Sequence, residues 1–438
     1  MKPSILIILS LLSVLSMAQQ ADHRPQFDWA KATVYFLITD RFCNGDSSND
    51  INYGRIVDYG SEQLNAATFH GGDFQGLLRK AQEGYFKDMG VDVVWMTDVY
   101  EQIHGWMSGS GAVNDFPHYG YYPLDYTQTD KNYGTVEEFR TLIDTLHSQG
   151  IRVMLGANLN DPGYPTLLDA VQLGFTDTGL TEKEAAQHIR EWNYDVFYET
   201  RLNWDGWYGR GWIRMPDEQW DENNPLEATL YGMPDFKDEN NDIENIPEFL
   251  HRKWEKEGNR NEKWTNPSAA KLRANRDYSP IEYIIAWIAS WVDCATSLLL
   301  APGIAQIFYG DETGRKLSDA RLNVDSNQAF RSDMNWNKID SISLMHFQKL
   351  GKIRQTHPSI GKGRQVTLDQ HTCVRIYMDD LTLIAVKPDF VSGISTGGYI
   401  ENGEKVVDLY SGNEGIVRNG KAFLPSSDNN AVILRQIK

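Results

Sequence analysis

Cysteine is scarce in this chain of 438 residues, which contains only Cys43, Cys294 and Cys373. Because three is an odd number, at least one thiol stays unpaired, and a disulfide framework is excluded. Basic side chains are also few: 42 Lys and Arg face 60 Asp and Glu, which gives a formal net charge of −18. This surplus of negative charge disfavours nucleic acids and anionic membrane surfaces as partners.

Long apolar runs are absent after the first twenty residues. The start, MKPSILIILSLLSVLSMAQQ, joins a basic residue, an apolar run and the small residues Ser16 and Ala18 before Gln19. This pattern predicts a secretory signal peptide over residues 1–18, which is too short to remain as a membrane anchor. We therefore expect export to the periplasm or the extracellular space, with no membrane partner.

The rest of the sequence alternates between apolar, strand-like runs and amphipathic helices. Predicted strands cover residues 34–40, 91–97, 151–155 and 305–309, and predicted helices cover residues 74–89, 136–149, 278–301 and 341–354. Thr135 and Glu138 form a capping box at the start of the second helix. This alternation predicts a parallel sheet with right-handed crossovers.

Two regions depart from this alternation. Residues 161–277 are rich in Trp, Gly, Asn and charged residues, and they predict a long irregular insertion. Residues 363–438 contain short alternating runs separated by Gly, Asn and Asp, which predicts an antiparallel β domain.

The loop CNGDSSND, residues 43–50, concentrates oxygen donors. Asn44, Asp46, Asn49 and Asp50 lie within it, and Phe69–Asp73 adds a carbonyl and a further carboxylate. Ca²⁺ prefers six to eight oxygen ligands of this kind. The same residue types also form ordinary polar turns. The spacing alone leaves both interpretations open.

Several longer stretches occur in a fixed order along the chain: VYFLITDRFCNGDSSND, FHGGDFQG, GVDVVWMTDVYEQIHGW, DFPHYGYYPLDY, KNYGTVEEF, MPDFK, LLLAPGIAQIFYGDE, RSDMNW and HPSIGKGRQ. Together they resemble the α-amylase family of glycoside hydrolases (family 13). The stretches EQIHGW, GWIR and RSDMNW are most similar to its periplasmic and secreted bacterial members.

This resemblance implies a (β/α)₈ barrel with a B domain inserted after the third strand and a C-terminal antiparallel β-sandwich. Only strands 1, 2, 3 and 8 find matches, so we expect an incomplete barrel. The expected domains are the signal peptide 1–18, the first barrel part 19–160, the B domain 161–277, the last barrel part 278–362 and the sandwich 363–438.

The catalytic segments of the family are missing. The family carries its nucleophile in Gly-Phe-Arg-x-Asp, its general acid in Gly-Glu and a third carboxylate in His-Asp. The chain has no Gly-x-Arg-x-Asp, none of its ten histidines precedes Asp, and its only Gly-Glu, at Gly403, lies in the expected sandwich. At about 30 residues per βα unit, the loss of four strands amounts to more than roughly 100 residues. We therefore assign no catalytic residue, and we expect Asp311 and Glu312 to have structural roles.

Other positions also depart from the family. Gly156 replaces the Asp that opens the third-strand motif, Asp161 replaces its closing His, and Asp98 lies where the family commonly has Pro. Tyr119 occupies the place of a substrate-contacting His, and a short deletion explains this better than an exchange with His118.

The resemblance further implies binding sites for Ca²⁺ and for an α-glucan. Donors of a first calcium site match Asn44, Asp46, Asn49, Asp50, Gly71 and Asp73, and donors of a second match Asn160 and Asp235. Tyr121 matches the tyrosine that stacks under the sugar, although a core tyrosine is an equally good interpretation. Trp106 and the insertion residues Trp204, Trp207 and Trp212 are further candidates for glucan contact.

Residues 288–312 join two family segments with no turn between them. We expect one helix over residues 278–301, followed by a strand at 305–309 that pairs with the strand at 34–40. The sheet order would be 8-1-2-3 with two open edges, which leads to an open sheet, a homodimer through those edges, or poor folding.

These features predict a protein of α-1,4-glucan metabolism that is catalytically inactive. Two alternatives are a non-catalytic α-glucan-binding protein and a non-functional remnant of an α-amylase gene. The departures at Gly156, Asp161 and Asp98 favour decay over a sequencing error.

Overall fold

The computed structural model describes residues 27–55, 68–108, 114–156, 162–163, 165–174, 177–190, 213–214, 219, 235–236, 291–315, 331–427 and 431–437. The helices in these ranges, after a 3₁₀ turn at Trp29–Lys31, are α1 Thr39–Phe42, α2 Phe74–Gln82, α3 Tyr85–Asp88, α4 Val136–Ser148, α5 Leu167–Leu173, α6 Glu182–Arg190, α7 Trp291–Leu299, α8 Ser341–Thr356 and α9 Pro358–Lys362.

The strands in the same ranges are β1 Thr33–Leu37, β2 Val93–Met96, β3 Tyr100–Gln102, β4 Met107–Ser108, β5 Asn114–Asp115, β6 Pro123–Thr129, β7 Arg152–Leu155, β8 Ile213–Arg214, β9 Asp235–Phe236, β10 Ala305–Phe308, β11 Arg364–Thr367, β12 Thr372–Tyr377, β13 Asp380–Val386, β14 Ile394–Ser395, β15 Lys405–Asp408, β16 Glu414–Arg418, β17 Lys421–Phe423 and β18 Ala431–Gln436.

A four-stranded parallel sheet forms the centre of the molecule. Its order is β10-β1-β2-β7, and every pair is parallel. Thr33 of β1 lies opposite Ala305 of β10. The predicted order 8-1-2-3 is therefore confirmed, including the pairing of the late strand with the first one.

The crossover between β1 and β2 contains two helices where the sequence predicted one. Asp73 caps the start of helix α2, because its side chain accepts a hydrogen bond from the N–H of Gly76, and the helix ends at Gln82. Gly84 follows with φ of +81°, a conformation that glycine adopts without steric cost, and α3 begins directly after it. The left-handed glycine therefore divides the predicted helix.

Helix α4 shows the predicted capping box. Thr135 accepts from the N–H of Glu138, and the Glu138 carboxylate accepts from the N–H of Thr135 at 2.7 Å. Phe139, Leu142 and Leu146 are buried on the face that packs on α2 and the sheet. This face has the i, i+3, i+7 spacing expected of an amphipathic helix.

Helix α7 contains the junction between the two family segments. Residues 291–299 are helical, with no turn between Trp291 and Leu298, as predicted, and residues 278–290 lie outside the described ranges. Ala295 and Leu299 are fully buried. The guanidinium of Arg354, on α8, donates to the carbonyls of Leu299 and Ala301 at 2.9 and 2.7 Å. These bonds satisfy carbonyls that the end of a helix leaves free.

The C-terminal strands form one antiparallel sheet with the order β11-β12-β13-β18-β15-β16-β17-β14. Val374 and Leu383, near one end of this order, share a hydrophobic cluster with Ile394, Val417 and Ala422 near the other end. The sheet is therefore curled around a core of its own. Other side chains of the same sheet belong to the main hydrophobic cluster: Ile384, Ala431 and Ile433.

The insertion is described only in parts. Helices α5 and α6 and the short antiparallel pair β8–β9 lie within residues 161–277. The insertion tryptophans named above lie outside the described residues. No helix in the described part of the chain is long and apolar enough to cross a membrane.

Candidate functional site

A buried polar cluster lies where β1 ends. Asp40, at the start of α1, accepts from the N–H groups of His70 and Gly71 at 2.9 and 3.2 Å. Its carboxylate also pairs with the guanidinium of Arg41 at 2.8 Å. Burial raises the pKa of Asp40, and the positive charge of Arg41 partly opposes this rise. The ring of His70 contacts Asp333 at 2.7 Å, so the cluster joins the early strand to the segment that follows residue 331.

Tyr121 lies close to this cluster and exposes its ring. Its relative exposure is 39%, whereas Tyr119 is buried, and the two ring centroids lie 5.1 Å apart. The Arg331 guanidinium lies over the Tyr119 ring at 4.5 Å. Burial of the hydroxyl and the charge of Asp98 raise the pKa of Tyr121. Tyr121 therefore combines an accessible aromatic face with a fixed position above a buried ring.

Two positions that depart from the family lie against each other. Gly156 follows β7, and a side-chain carbon at this residue would lie 2.3 Å from Oδ1 of Asp98, which follows β2. Asp98 is buried. Its carboxylate therefore occupies the space into which a side chain at position 156 would project.

Trp106 and His118 lie in the interior. Trp106 is only 1% exposed and belongs to the main hydrophobic cluster, so its ring offers no open face to a sugar in this conformation. His118 is fully buried, and its Nδ1 lies 3.0 Å from the carbonyl of Phe116. Burial and the nearby charge of Arg41 lower the pKa of His118, which keeps its ring neutral.

The structure brings together part of the predicted calcium site. The Asn44 amide lies 2.9 and 3.0 Å from the two carboxylate oxygens of Asp50. A side-chain carbon at Gly71 would lie 2.5 Å from that amide and 2.6 Å from the carboxylate, so only glycine fits here. The Oδ1 atom of Asn49 is buried without a hydrogen-bond partner. A buried acceptor of this kind needs a partner, and its amide oxygen is of the type that a hard cation binds.

Asp73 and Asp46 have other partners. The Asp73 carboxylate accepts from the N–H groups of Gly45, Asp46 and Gly76 at 2.6–3.0 Å, and burial raises its pKa to about 6. Oδ1 of Asp46 accepts from the N–H of Ser48 at 2.9 Å. The two carboxylates therefore shape the loop around the candidate site.

Within the described ranges, no group of three or more His, Cys, Asp or Glu side chains is arranged to hold a metal ion. Asn49 has an amide oxygen and Gly71 a backbone carbonyl, so neither residue belongs to a group of that kind. For the second predicted site, Asn160 lies outside the described residues, and only the backbone of Asp235 is described, paired with Arg214.

Two carboxyl groups, those of Asp311 and Glu312, follow β10. Glu312 is fully buried and accepts from the hydroxyls of Tyr35 and Tyr85. Burial raises its pKa. Burial and the adjacent Glu312 charge raise the pKa of Asp311 to about 7. The bonds of Glu312 join the sheet to the helix layer, and this agrees with the structural role expected for it.

Sequence reasoning missed Arg331, Asp333 and the contact between Asp98 and Gly156. The stretch RSDMNW contains the first two residues, but nothing in its spacing shows that they meet residues 70–121. The departures of Asp98 and Gly156 were visible in the sequence, whereas their contact needs the register of β2 against β7.

Comparison with known proteins gives matches of three kinds. The family described as "Alpha amylase, catalytic domain" matches residues 36–168. The periplasmic alpha-amylase of Escherichia coli (strain K12) is 28% identical over 518 aligned positions, which cover 83% of this chain and 73% of the relative. The beta/alpha-amylase of Paenibacillus polymyxa is 36% identical over 136 residues, but the chain covers only 10% of that protein.

Solved structures share the fold. The Anoxybacillus alpha-amylase has a TM-score of 0.58 at 18% identity, covering 94% of this chain and all of that one. The Geobacillus thermoleovorans alpha-amylase, solved with acarbose, has a TM-score of 0.57 at 17% identity and the same coverage.

A parallel sheet with helical crossovers, an insertion after its third strand and a C-terminal antiparallel domain define a barrel-type, glycoside-hydrolase-like protein. Residues 36–168 match the α-amylase catalytic domain, and the chain is similar over most of its length to a periplasmic alpha-amylase. The E. coli alignment also reveals a gap: 83% of 438 residues is about 364, so about 150 of the 518 aligned positions have no residue of this chain opposite them.

Proposed function

We propose that this protein is exported and takes part in α-1,4-glucan metabolism. It would bind glucan chains without hydrolysing them. The order β10-β1-β2-β7 is the observation that carries this proposal. It contains the first, second, third and eighth strands expected from the family, and the sequence lacks the segments that carry the catalytic acids in the intervening strands.

The chemistry supports inactivity. Retaining cleavage of a glycosidic bond needs two carboxyl groups about 5 Å apart, one ionised and one protonated. Two buried carboxylates that could be proposed as substitutes already have structural partners: Glu312 accepts from two tyrosines, and Asp40 accepts from backbone N–H groups and pairs with Arg41. Neither is free to attack or protonate a sugar.

The exposed ring of Tyr121 supports glucan binding. The apolar face of a glucose unit packs against aromatic rings, and Tyr121 presents such a ring above Tyr119 and near Arg331. Tyr121 is therefore the residue that we propose to contact the sugar. Trp106 is buried, so we do not assign it a direct contact with the sugar.

The contact between Asp98 and Gly156 favours a binding protein over a decayed remnant. Random loss of function would alter the two positions independently. Here the residue with the added carboxylate and the residue without a side chain fit together in one buried space. Two changes that compensate each other are expected when the fold of this edge is still under selection.

We also propose that Ca²⁺ binds between the loop at residues 44–50 and Gly71. Asn44, Asn49, Asp50 and the Gly71 carbonyl would hold the ion, with water completing a set of six to eight oxygens. Asp46 and Asp73 would fix the loop through its backbone. A bound Ca²⁺ would supply positive charge that offsets the buried Asp50 carboxylate. Asn160 and Asp235 remain candidates for a second ion.

Hydrolysis and binding must be measured on the same preparation. Purified protein should release no reducing ends from starch or maltodextrin above a buffer blank, and its migration should be slowed in a native gel that contains amylopectin. Release of reducing ends that copurifies with the protein would disprove inactivity. Unchanged migration of folded protein would disprove glucan binding and favour the remnant.

A further inference from the structure

The parallel sheet has two open edges in the described part of the chain. β1 and β2 are each paired on both sides, whereas β7 and β10 are each paired on one side only. An open edge presents a row of N–H and C=O groups that can pair with another strand.

The backbone of β7 shows which groups face its open edge. The N–H groups of Arg152 and Gly156 bond to the β2 segment at 2.9 and 2.8 Å. Alternate residues of a parallel strand direct their N–H and C=O groups to opposite sides. Val153 and Leu155 therefore direct theirs to the open edge.

The backbone of β10 follows the same rule on the opposite side of the sheet. The N–H groups of Ala305 and Tyr309 bond to the β1 segment at 3.0 and 2.9 Å. Gln306 and Phe308 therefore direct their N–H and C=O groups outward. Each open edge offers two residues with outward groups, so the two edges are matched in length.

The two edges carry little of the usual protection against strand pairing. Monomeric proteins place charged residues or proline on such edges. The sequence of β10 is Ala-Gln-Ile-Phe, with no charge and no proline, and Arg152 is the only charged residue in β7.

One face of the sheet presents an apolar row from edge to edge. Phe308, Phe36, Trp95 and Met154 lie opposite one another in register, and all four are only partly buried. The ring centroids of Phe36 and Trp95 are 4.8 Å apart, and those of Phe36 and Phe308 are 5.6 Å apart. Neighbouring positions such as Tyr35 are fully buried on the other face. The row would face the interior of a closed barrel.

We propose that two copies of this chain close one eight-stranded parallel barrel, with β7 of each copy pairing with β10 of the other. A twofold axis along the barrel keeps all strands parallel, and four strands from each copy make the eight that the barrel needs. A second copy satisfies both edges at once and covers both apolar rows. This proposal does not depend on glucan binding.

Analytical ultracentrifugation over a range of concentrations tests the proposal. The wild-type chain should sediment with twice the mass of one chain. Gln306→Pro removes an outward N–H that its own sheet does not use, and Met154→Lys places a charge in the barrel interior. Each variant should raise the dimer dissociation constant at least roughly tenfold, because a ladder bond is lost or a charge is buried unpaired. Val391→Lys, at a site that is 91% exposed, is the matched control and should remain dimeric.

Hydrogen exchange on the wild-type protein gives a second measurement that needs no variant. The amides of Val153, Leu155, Gln306 and Phe308 should exchange slowly in the dimer and faster on dilution. The proposal would be overturned if the wild-type protein were monomeric at every concentration. Slow exchange of these amides in such a monomer would show that another segment of the chain covers the edges. Open-ended polymers, or variants that dimerise like wild type, would overturn the proposal as well.

Discussion

The hydroxyl of Tyr35 donates a hydrogen bond of 2.7 Å to Oε1 of Glu312, joining the middle of β1 to the turn after β10. Both side chains are fully buried. The same carboxylate accepts from Tyr85 on α3 and, through Oε2, from the N–H of Gly310 at 3.1 Å. Glu312 thus holds the first strand, its crossover and the last strand together.

Tyr35→Phe should lower the free energy of unfolding by about 1–3 kcal/mol, because it leaves a buried carboxylate with one donor fewer. Urea unfolding followed by fluorescence measures the change. Tyr399→Phe, at a tyrosine that is 37% exposed, should leave stability unchanged. Equal effects of the two variants would contradict the bonding role of Tyr35.

Gly156→Ala should destabilise the protein because its new carbon meets Oδ1 of Asp98. In an Asp98→Ala background the same substitution should cost less. A double-mutant cycle on urea midpoints should give a coupling of about 0.5–3 kcal/mol, as for residues in contact. Additive effects would mean that the two departures from the family arose without compensating each other.

Tyr121→Ala should abolish the retardation of the protein in amylopectin gels, because it removes the exposed ring that we propose to contact the sugar. Tyr399→Ala is the matched control, since its exposure, 37%, is close to the 39% of Tyr121. Retardation should persist in this control. Loss of retardation in both variants would indicate a general effect on folding.

Added Ca²⁺ should raise the melting temperature of the wild-type protein, and a chelator should lower it, because a ligand that binds only the folded state stabilises it. Asp50→Ala should remove this response. Asp389→Ala, in an exposed turn, should retain it. A calcium response of equal size in both variants would place the ion elsewhere.

Asp311→Asn should stabilise the protein more at pH 8 than at pH 5. Burial and the Glu312 charge raise the folded-state pKa of Asp311 from 3.8 to about 7. A raised pKa contributes stability below pH 3.8 that is lost as the pH rises through 7, so the neutral amide removes a penalty present at pH 8. Melting temperatures at the two pH values measure this difference. Asp389→Asn, at a group whose pKa is lowered by the N–H of Ser392, should not reproduce it. An equal gain at both pH values would contradict the argument.

The elements of the parallel sheet could be predicted from the sequence because short apolar runs, a capping box at Thr135 and glycines after the helices mark the βα units. Their order, with the last strand beside the first, was implied by the resemblance to the α-amylase family. The junction helix was also predictable, since no glycine or proline interrupts residues 288–301. Local sequence determines these elements.

The arrangement of the candidate site was not predictable, because it depends on contacts between distant segments. Tertiary packing buries Trp106. The sequence around this tryptophan does not indicate whether its ring is buried or exposed. Asp73 was predicted as a calcium ligand, but its carboxylate accepts three backbone N–H bonds, which follows from the fold of a neighbouring loop. That prediction stays open for the calcium measurement.

The pairing of Thr33 with Ala305 also determines the order of events during synthesis. Contacts between residues so far apart in sequence form slowly, because the entropy cost of closing a long loop comes before any stabilisation from the contacts. One side of β1 stays without its partner until most of the chain has been made. A nascent chain that is exported before that moment would cross the membrane unfolded, with its sheet assembled only at its destination.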